Sequence, residues 1–544
     1  MQNKPHLALD GYKASHKFQY PEGTQYVYSN LTARSAGHAK VSRFFDNKAV
    51  FVGLQGFIQE FLIEDWNAGF FKRPKDEVVA EYKRRMDTYL GPDSVPVDHI
   101  ADLHDLGYLP LEIKALPEGS RVDIRVPFLT IINTDPRFFW LTNYIETILS
   151  AELWQPITNA TVAYEFRRLL NHYVELTGSD KDFADWQLHD FSMRGMPGLH
   201  AAARSGMAHL MVAGHGTDTL PAIDYIEEYY FADATKELIG GSVPATEHSV
   251  MCMGGKDDGE LATFKRLITE TYPSGIVSIV SDTWDFWNVI TNTALLLKDD
   301  ILARKENALG QAKVVFRPDS GDPVKIVAGL RVLEVGPRLP DGMSGYDAED
   351  KYDVVNYEGR YYEFKGDNTD VLTLTREVPA HVVAGAVECL WNIFGGTITG
   401  APSGKGYKTL NQRVGLIYGD SITLERMEEI LKRLAAKGFS AGNVVFGIGS
   451  YAYQYNTRDT LGMAVKATYG VVNGEGRELF KDPVTDSGTK KSAKGLLRVE
   501  QMGDRFALYD GVNWYLEGGE LCRVFRNGLA FNLQSYAEIV ARLK

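Results

Sequence analysis

The chain has 544 residues, 71 of them acidic and 58 basic, for a formal charge of −13, with 44% hydrophobic and 24% charged side chains. Those proportions exclude a disordered chain, and the length calls for two or three domains or one large barrel with additions. The acidic balance argues against a nucleic-acid partner, and the strand-length apolar runs (126–132, 276–280) against a membrane span; three dispersed cysteines, Cys252, Cys389 and Cys522, argue against a disulfide framework or a Cys-based zinc site. With a first segment, 1–6, that lacks the apolar stretch of a secretory signal, the expectation is a cytoplasmic enzyme in a reducing compartment.

To about Asp135 short β-like runs mix with turns. Runs 109–115 and 121–133 are rich in Val, Ile, Leu and Phe, and Pro117-Glu118-Gly119-Ser120 between them predicts a hairpin connection. From 138 to 176 the pattern turns helical, with apolar-aromatic segments such as 140–153. Four β-like runs in the middle each stop in a polar or Gly-rich turn: 275–280 at Ser281-Asp282, 313–316 at Arg317-Pro318-Asp319-Ser320-Gly321, 414–418 at Gly419-Asp420, and 443–446 at Gly447-Ile448-Gly449. The clearest helix is 423–437, with Thr423 as cap, Glu425 in the first turn, Gly438 as stop, and Met427, Ile430, Leu431 and Leu434 as the buried stripe. Continuous apolar strands alternating with helices predict a parallel sheet buried on both faces, with its active site at the strand ends. Between 335 and 412 the regularity lapses: 352–364 reads as a hairpin, and the Gly-rich stretch 395–406 as a flexible or surface insertion. Gly404-Lys405 is not a P-loop, because Thr399 stands at the first Gly position and Gly406 where Ser or Thr belongs. Beyond Asp459 short strands return, 505–509 and 513–516 among them, so a β-rich tail is expected; there is no internal repeat.

Asp282, Asp319 and Asp420 close three successive predicted strands. One such Asp is usually a turn or cap residue, but three on one rim suit sugar hydroxyls and a hard cation such as Mg²⁺. Gly419 and the 447–449 segment offer backbone N–H groups that approach a phosphate closely, and Arg458 is a charged complement to them. His189-Asp190-Phe191-Ser192-Met193-Arg194-Gly195 packs an aromatic, a cation and a carboxylate together, and Asp218 within Gly216-Thr217-Asp218-Thr219 is a further strand-end carboxylate. Taken singly, Phe191 reads as core packing and His189 as a hydrogen-bonded structural histidine.

These segments, in this order, resemble the nicotinamide phosphoribosyltransferases, of the type II phosphoribosyltransferase family. The likeness runs from Leu9-Asp10-Gly11-Tyr12-Lys13 to Val524-Phe525-Arg526-Asn527-Gly528 and includes Ser242-Val243-Pro244-Ala245-Thr246-Glu247-His248-Ser249, Thr457-Arg458-Asp459 and Phe480-Lys481-Asp482-Pro483. The resemblance implies an α/β phosphoribosyltransferase barrel with an additional β-rich domain formed from both chain ends: a β-rich and helical part at 1–165, the barrel at 166–450 with an insertion at about 335–412, and a β-rich part at 451–544. It also implies a homodimer with active sites at the interface.

The resemblance further implies residue roles. Phe191 from one subunit and Tyr12 from its partner sandwich the pyridine ring, and Asp218 accepts from the carboxamide. Arg194 is the cation on the amide and phosphate side, Ser278 contacts substrate, Arg317 lines ring and ribose, and Asp319 and Asp420 hold ribose hydroxyls. Asp282 and Asp319 hold Mg²⁺ directly or through water. Gly449 and the backbone near Ser450 cradle the monophosphate, Ser450 standing where the family often has a second Gly. Arg34, Arg458, Lys466 and Lys481 grip phosphate and pyrophosphate, several of them across the dimer. His248 is implied as the histidine phosphorylated by ATP, which couples ATP hydrolysis to tighter substrate use. The nearest alternative is a nicotinate phosphoribosyltransferase, against which Asp218 speaks because nicotinate brings its own negative charge. A non-catalytic interaction protein on the same scaffold is the alternative of a different class.

Overall fold

The computed structural model describes residues 4–334, 338–480 and 493–544. Its centre is a six-stranded parallel sheet in the spatial order Gly216–Thr217, Leu188–Asp190, Val444–Ile448, Val414–Tyr418, Ala312–Arg317, Gly275–Val280. The four apolar runs read from the sequence are its last four members. Alternate residues along each strand take opposite faces. Val314, Phe316, Leu416, Tyr418, Val444 and Phe446 are at most 1% exposed in the helix-facing core. His189, Ser278, Arg317 and Gly447 share the other face by register.

An extended segment, 241–246, runs between the two edge strands. Gly241 N donates to His215 O at 2.8 Å and Thr217 N to Gly241 O at 3.1 Å; on the other side Ser278 N donates to Pro244 O at 2.9 Å and Thr246 N to Ser278 O at 3.0 Å. It links the edges, so the C-terminal ends of all six strands face one rim.

Helix Leu424–Ala436 covers the sheet as its sequence requires: Thr423 accepts from Arg426 N, and Met427, Ile430, Leu431 and Leu434 are buried. Beside this α/β layer a seven-stranded antiparallel sheet interleaves the two chain ends, in the order Glu475–Glu478, Ala464–Val472, Thr24–Thr32, Pro127–Asn133, Leu111–Ala115, Cys522–Arg526, Leu529–Ala530. The 32-residue helix Glu146–Thr177 reaches both cores. Among the described residues no helix is long and apolar enough to cross a membrane.

Three local expectations are corrected. Leu111–Ala115 does pair with Pro127–Asn133, but Arg121–Asp123 leaves to pair with Lys48–Val50, so 117–120 is no tight hairpin turn. The buried Glu118 carboxylate draws that turn away by accepting from Gly53 N at 2.7 Å and Gln55 N at 2.5 Å. Residues 513–516 form a turn rather than a strand, because Asn513 Oδ1 accepts from Tyr515 N at 3.0 Å and Leu516 N at 3.2 Å.

Nor is the stretch 335–412 one insertion. Helix Ala386–Phe394 places Ala386, Val387, Leu390 and Phe394 in the main core, and the Gly-rich stretch is a regular hairpin, Gly396–Gly400 with Gly406–Leu410, whose Tyr407 and Leu410 join that core. What stands apart is a four-stranded sheet, Val332–Leu333, Val354–Tyr357, Arg360–Lys365 and Thr373–Val378, with a small core of Leu333, Leu339, Ala348, Val355 and Leu372.

Candidate active site

Strand Leu188–Asp190 ends in a fully buried carboxylate. Asp190 accepts from Ser192 N at 2.9 Å and Thr219 Oγ1 at 2.7 Å, which fixes the turn carrying Phe191 against the turn carrying Asp218. His189 Nε2 lies 2.9 Å from Asp218 Oδ1, and Ser242 Oγ donates to the same oxygen at 2.7 Å. Burial raises the Asp218 carboxyl, but the hydrogen bonds from His189 and Ser242 and the charges of His189 and Arg317 outweigh it and hold the group below the usual carboxylate range. It is therefore an ionised acceptor at neutral pH.

The half-buried Phe191 ring, 4.7 Å from the His189 ring between centroids, lies on the backbone of Gly447. A Cβ at 447 would stand 2.4 Å from the ring, so this floor admits only glycine.

Across the rim, Asp282 organises the loop after the next strand. Its Oδ2 accepts from Asp319 N at 2.8 Å and Ser320 Oγ at 2.6 Å, while Tyr418 donates to the carbonyls of Ser320 and Gly321, each at 3.0 Å. Oδ1 of Asp282 is buried without a hydrogen-bond partner among the described residues, 3.8 Å from His248 Nε2. Asp319 is pushed above the usual carboxylate range by burial first and by the charges of Asp282 and Asp420, against the pull of Arg317 and His248. Arg317 donates to Thr246 O, which ties it to the bridging segment; burial lowers it, while Asp319, Asp218 and Asp282 favour its charge. Asp420 is exposed and is followed by Ser421 at φ 52°, a left-handed position uncommon for a non-glycine residue. His248 starts helix His248–Gly254, half-exposed, with Nδ1 3.2 Å from Thr283 Oγ1. The Ser278 hydroxyl is buried without a hydrogen-bond partner among the described residues.

Arg194 is exposed on the short 3-10 helix Met193–Gly195. Gly449 caps helix Ser450–Tyr453, whose first residue, Ser450, is helical, so a side chain is accommodated there. Its neighbour Gly195 is the constrained one, since a Cβ at 195 would be 2.5 Å from Ser450 Cβ.

The remaining cations gather elsewhere, on the antiparallel sheet. Arg34 Nε donates to Gly462 O at 2.9 Å, Lys466 sits opposite Asn30, and Arg458 lies in the loop that leads into the Lys466 strand. Lys466 is lowered by partial desolvation, then by Arg34, Lys13 and Arg458, while Glu146 acts in the opposite sense. A cavity of about 580 Å³ opens beside Arg458, lined also by Asn456, Thr457, His200 and Arg204. Tyr12 is 59% exposed, with His16 on its ring edge. Among the described residues no hydrogen bond, ion pair or ring contact joins Tyr12, Arg34, Arg458 or Lys466 to the rim. Lys481 lies outside the described residues.

Sequence reading left Ser242, Thr246, Ser320 and Tyr418 without roles. Ser242 and Thr246 lie within the segment that carried the resemblance, Ser320 within the strand-end turn, and Tyr418 immediately before Gly419, so position was their only signal.

Residues 186–509 match the nicotinate phosphoribosyltransferase (NAPRTase) family, and residues 6–113 match the nicotinamide phosphoribosyltransferase N-terminal domain. The nicotinamide phosphoribosyltransferase of Acinetobacter baylyi is 57% identical over 540 residues, covering 99% of this chain and 97% of that protein. The nicotinamide phosphoribosyltransferase of Mycoplasma pneumoniae is 33% identical, over 90% and 94% of the two chains. Among solved structures, human nicotinic acid phosphoribosyltransferase aligns over 98% of this chain and 92% of its own with a TM-score of 0.51 at 16% identity. The Pyrococcus furiosus nicotinate-nucleotide pyrophosphorylase covers 100% and 95% with a TM-score of 0.50 at 13% identity, a likeness of fold.

Proposed function

The chain belongs to the nicotinate phosphoribosyltransferase family, and we propose that it works on the amide: it condenses nicotinamide with 5-phosphoribosyl 1-pyrophosphate to nicotinamide mononucleotide and pyrophosphate, a salvage step toward NAD. The observation that carries the choice of base is Asp218. One carboxylate oxygen is held by His189 and Ser242, which leaves the other to accept from a carboxamide N–H₂. A carboxylate substrate would place a second negative charge against an acceptor already held ionised.

The reaction needs no general base, because the pyridine nitrogen that attacks the anomeric carbon carries no proton. The bond from that carbon to pyrophosphate breaks through an oxocarbenium-like state, so the protein's work is orientation and charge compensation. Phe191 stacks the ring as it becomes cationic. Asp319 and Asp420 bind ribose hydroxyls, and Arg317 lies between ring and ribose. Gly449, Ser450 and Arg194 take the monophosphate.

Among the described residues no three His, Cys, Asp or Glu side chains converge as a ligand set. Mg²⁺ is held through one or two carboxylates plus substrate phosphates, and the unpartnered Oδ1 of Asp282 beside Asp319 fits that demand. The ion would offset the charge of the leaving pyrophosphate.

The separation of Tyr12, Arg34, Arg458 and Lys466 from the rim supports a homodimer in which one chain's cations and stacking ring complete its partner's site; Lys481 belongs to the same proposal. His248, half-exposed at the rim beside Asp282, supports the ATP-phosphorylated role. The finer architecture goes with this reading: the parallel sheet and its bridging segment as the barrel, the sheet from both chain ends as the second domain, and a cytoplasmic setting.

The test is mononucleotide formation from phosphoribosyl pyrophosphate with Mg²⁺, comparing nicotinamide and nicotinate, with and without ATP. Preference for nicotinamide, reduced about 100-fold in Asp218→Ala, is expected; preference for nicotinate moves the protein to the acid-using activity. Mixing Asp282→Ala with Lys466→Ala chains, each impaired alone, should regain activity through hybrid dimers, and no regain removes the shared site.

A further inference from the structure

The 3-10 helix Gly11–Phe18 carries Tyr12, and a 3-10 helix is too weak to fix its own position. Two consecutive residues at the start of helix Glu146–Thr177 hold it. Thr147 Oγ1 donates to Asp10 Oδ2 at 2.9 Å and accepts from Asp10 N at 3.3 Å, and Glu146 Oε2 accepts from Lys13 Nζ at 2.7 Å. The clamp brackets Tyr12, whose ring meets His16 edge-on and the Lys13 ammonium at 5.4 Å from its centroid. Lys13 is only 5% exposed, so its ammonium is buried against that carboxylate, and a carboxylate in a first helical turn also favours the helix dipole.

The same carboxylate acts on the cation cluster. Around Lys466 stand Arg34 just past the neighbouring strand, Arg458 in the loop that leads into the Lys466 strand, and Lys13 on the 3-10 helix, all repelling its charge; Glu146 offsets them. His16, on the helix that carries Tyr12, feels the same Lys13–Glu146 pair.

We infer that Glu146 is a positioning residue: through Lys13 it fixes the arm that presents Tyr12, and its negative charge offsets that of the phosphate-binding cations, so base stacking and phosphate capture share one carboxylate. The inference rests on the function proposed above, because it takes Tyr12 and Lys466 as substrate contacts.

Steady-state kinetics of the full-length enzyme with nicotinamide and phosphoribosyl pyrophosphate, from about pH 6.5 to about pH 9.5, test it in Glu146→Gln, Glu146→Asp and Lys13→Met. Glu146→Gln is expected to raise KM for nicotinamide about tenfold with kcat changed less than about threefold. It should also move the alkaline limb of kcat/KM for phosphoribosyl pyrophosphate about one unit to lower pH, because Lys466 without that negative neighbour loses its proton sooner. Glu146→Asp should restore the limb but not KM, its shorter chain keeping the charge and losing the reach. Lys13→Met should raise KM for nicotinamide and move the limb to higher pH, since it removes a repelling cation. An active wild type with an unchanged KM and limb in Glu146→Gln overturns the inference and leaves the proposed function standing. An inactive wild type overturns both. Where Glu146→Gln does not fold, Lys13→Met decides: an unchanged KM and limb in that variant overturn the inference.

Discussion

The rim of the parallel sheet and the basic cluster of the antiparallel sheet are built on opposite principles. At the rim, acidic groups are held mainly by hydrogen bonds from neighbouring loops of the same chain. Asp282 accepts from Asp319 N and Ser320, Asp218 from His189 and Ser242, and Asp190 from Ser192 and Thr219. On the antiparallel sheet, Arg34, Arg458, Lys13 and Lys466 crowd together with Glu146 opposing them. The first region is organised within one chain before any ligand arrives. The second is an accumulation of like charge that favours an incoming polyanion. A chain of net charge −13 thereby gathers a local excess of positive charge, although long-range steering of a polyanion toward it should be weak.

Breaking the rim should have the largest effect. Asp282→Ala removes the acceptor for both Asp319 N and Ser320, and we expect kcat/KM to fall about 1,000-fold, measured under saturating Mg²⁺. Retention of more than a tenth of the activity would dissolve the contrast, because the rim would then not depend on its internal order.

The basic cluster should respond more gently. Lys466→Ala is expected to raise KM for phosphoribosyl pyrophosphate about tenfold with little change in KM for nicotinamide, since the remaining cations share the load. An effect as large as that of Asp282→Ala would mean that one cation rather than the cluster carries the phosphate.

The smallest expected effect on activity comes from a third arrangement, in which a carboxylate is saturated by cations. Asp353 lies 3.1 Å from Lys325, 3.1 Å from Arg331 and 3.4 Å from Arg433, where it joins the four-stranded subdomain to the α/β layer. Burial raises it, but its hydrogen bonds from Arg331 and Lys325 prevail and pull it down to about 2. A folded-state value below the ordinary 3.8 means that its stabilisation is present above that pH and is lost as pH falls through about 2. Asp353→Asn should therefore lower unfolding free energy at neutral pH by roughly 2 kcal/mol, a gap that narrows between about pH 4 and about pH 2 in denaturant titrations. Turnover in the folded variant should stay within about twofold of wild type.

Four of the six strands of the parallel sheet were legible because each is an apolar run closed by a polar or Gly-rich turn, and helix Leu424–Ala436 because its cap, stripe and stop agree. Glu118 shows why the turn at 117–120 was not. Its partners, Gly53 N and Gln55 N, lie more than 60 residues earlier in the chain, so no local pattern announces them. The hairpin at 396–410 was hidden by its glycines, which read as a flexible or surface insertion while Tyr407 and Leu410 were supplying the burial that holds it.

At the site the same division holds. Asp218, Asp282, Asp319 and Asp420 stood out from their positions after strands, whereas the hydroxyls of Ser242, Ser320 and Tyr418 did not, since a hydroxyl takes its meaning from whichever acceptor the fold brings near it.

The sequence by itself determined the family, the parallel sheet and the set of chemically competent residues, because composition, periodicity and ordered motifs are properties of neighbours along the chain. Tertiary structure alone decided which oxygen of Asp218 His189 and Ser242 hold, that Gly447 rather than Gly449 is the glycine a ring requires, and that Glu146 pairs with Lys13. Those outcomes depend on distances between residues far apart in the chain, and packing sets such distances to fractions of an ångström that no local pattern encodes.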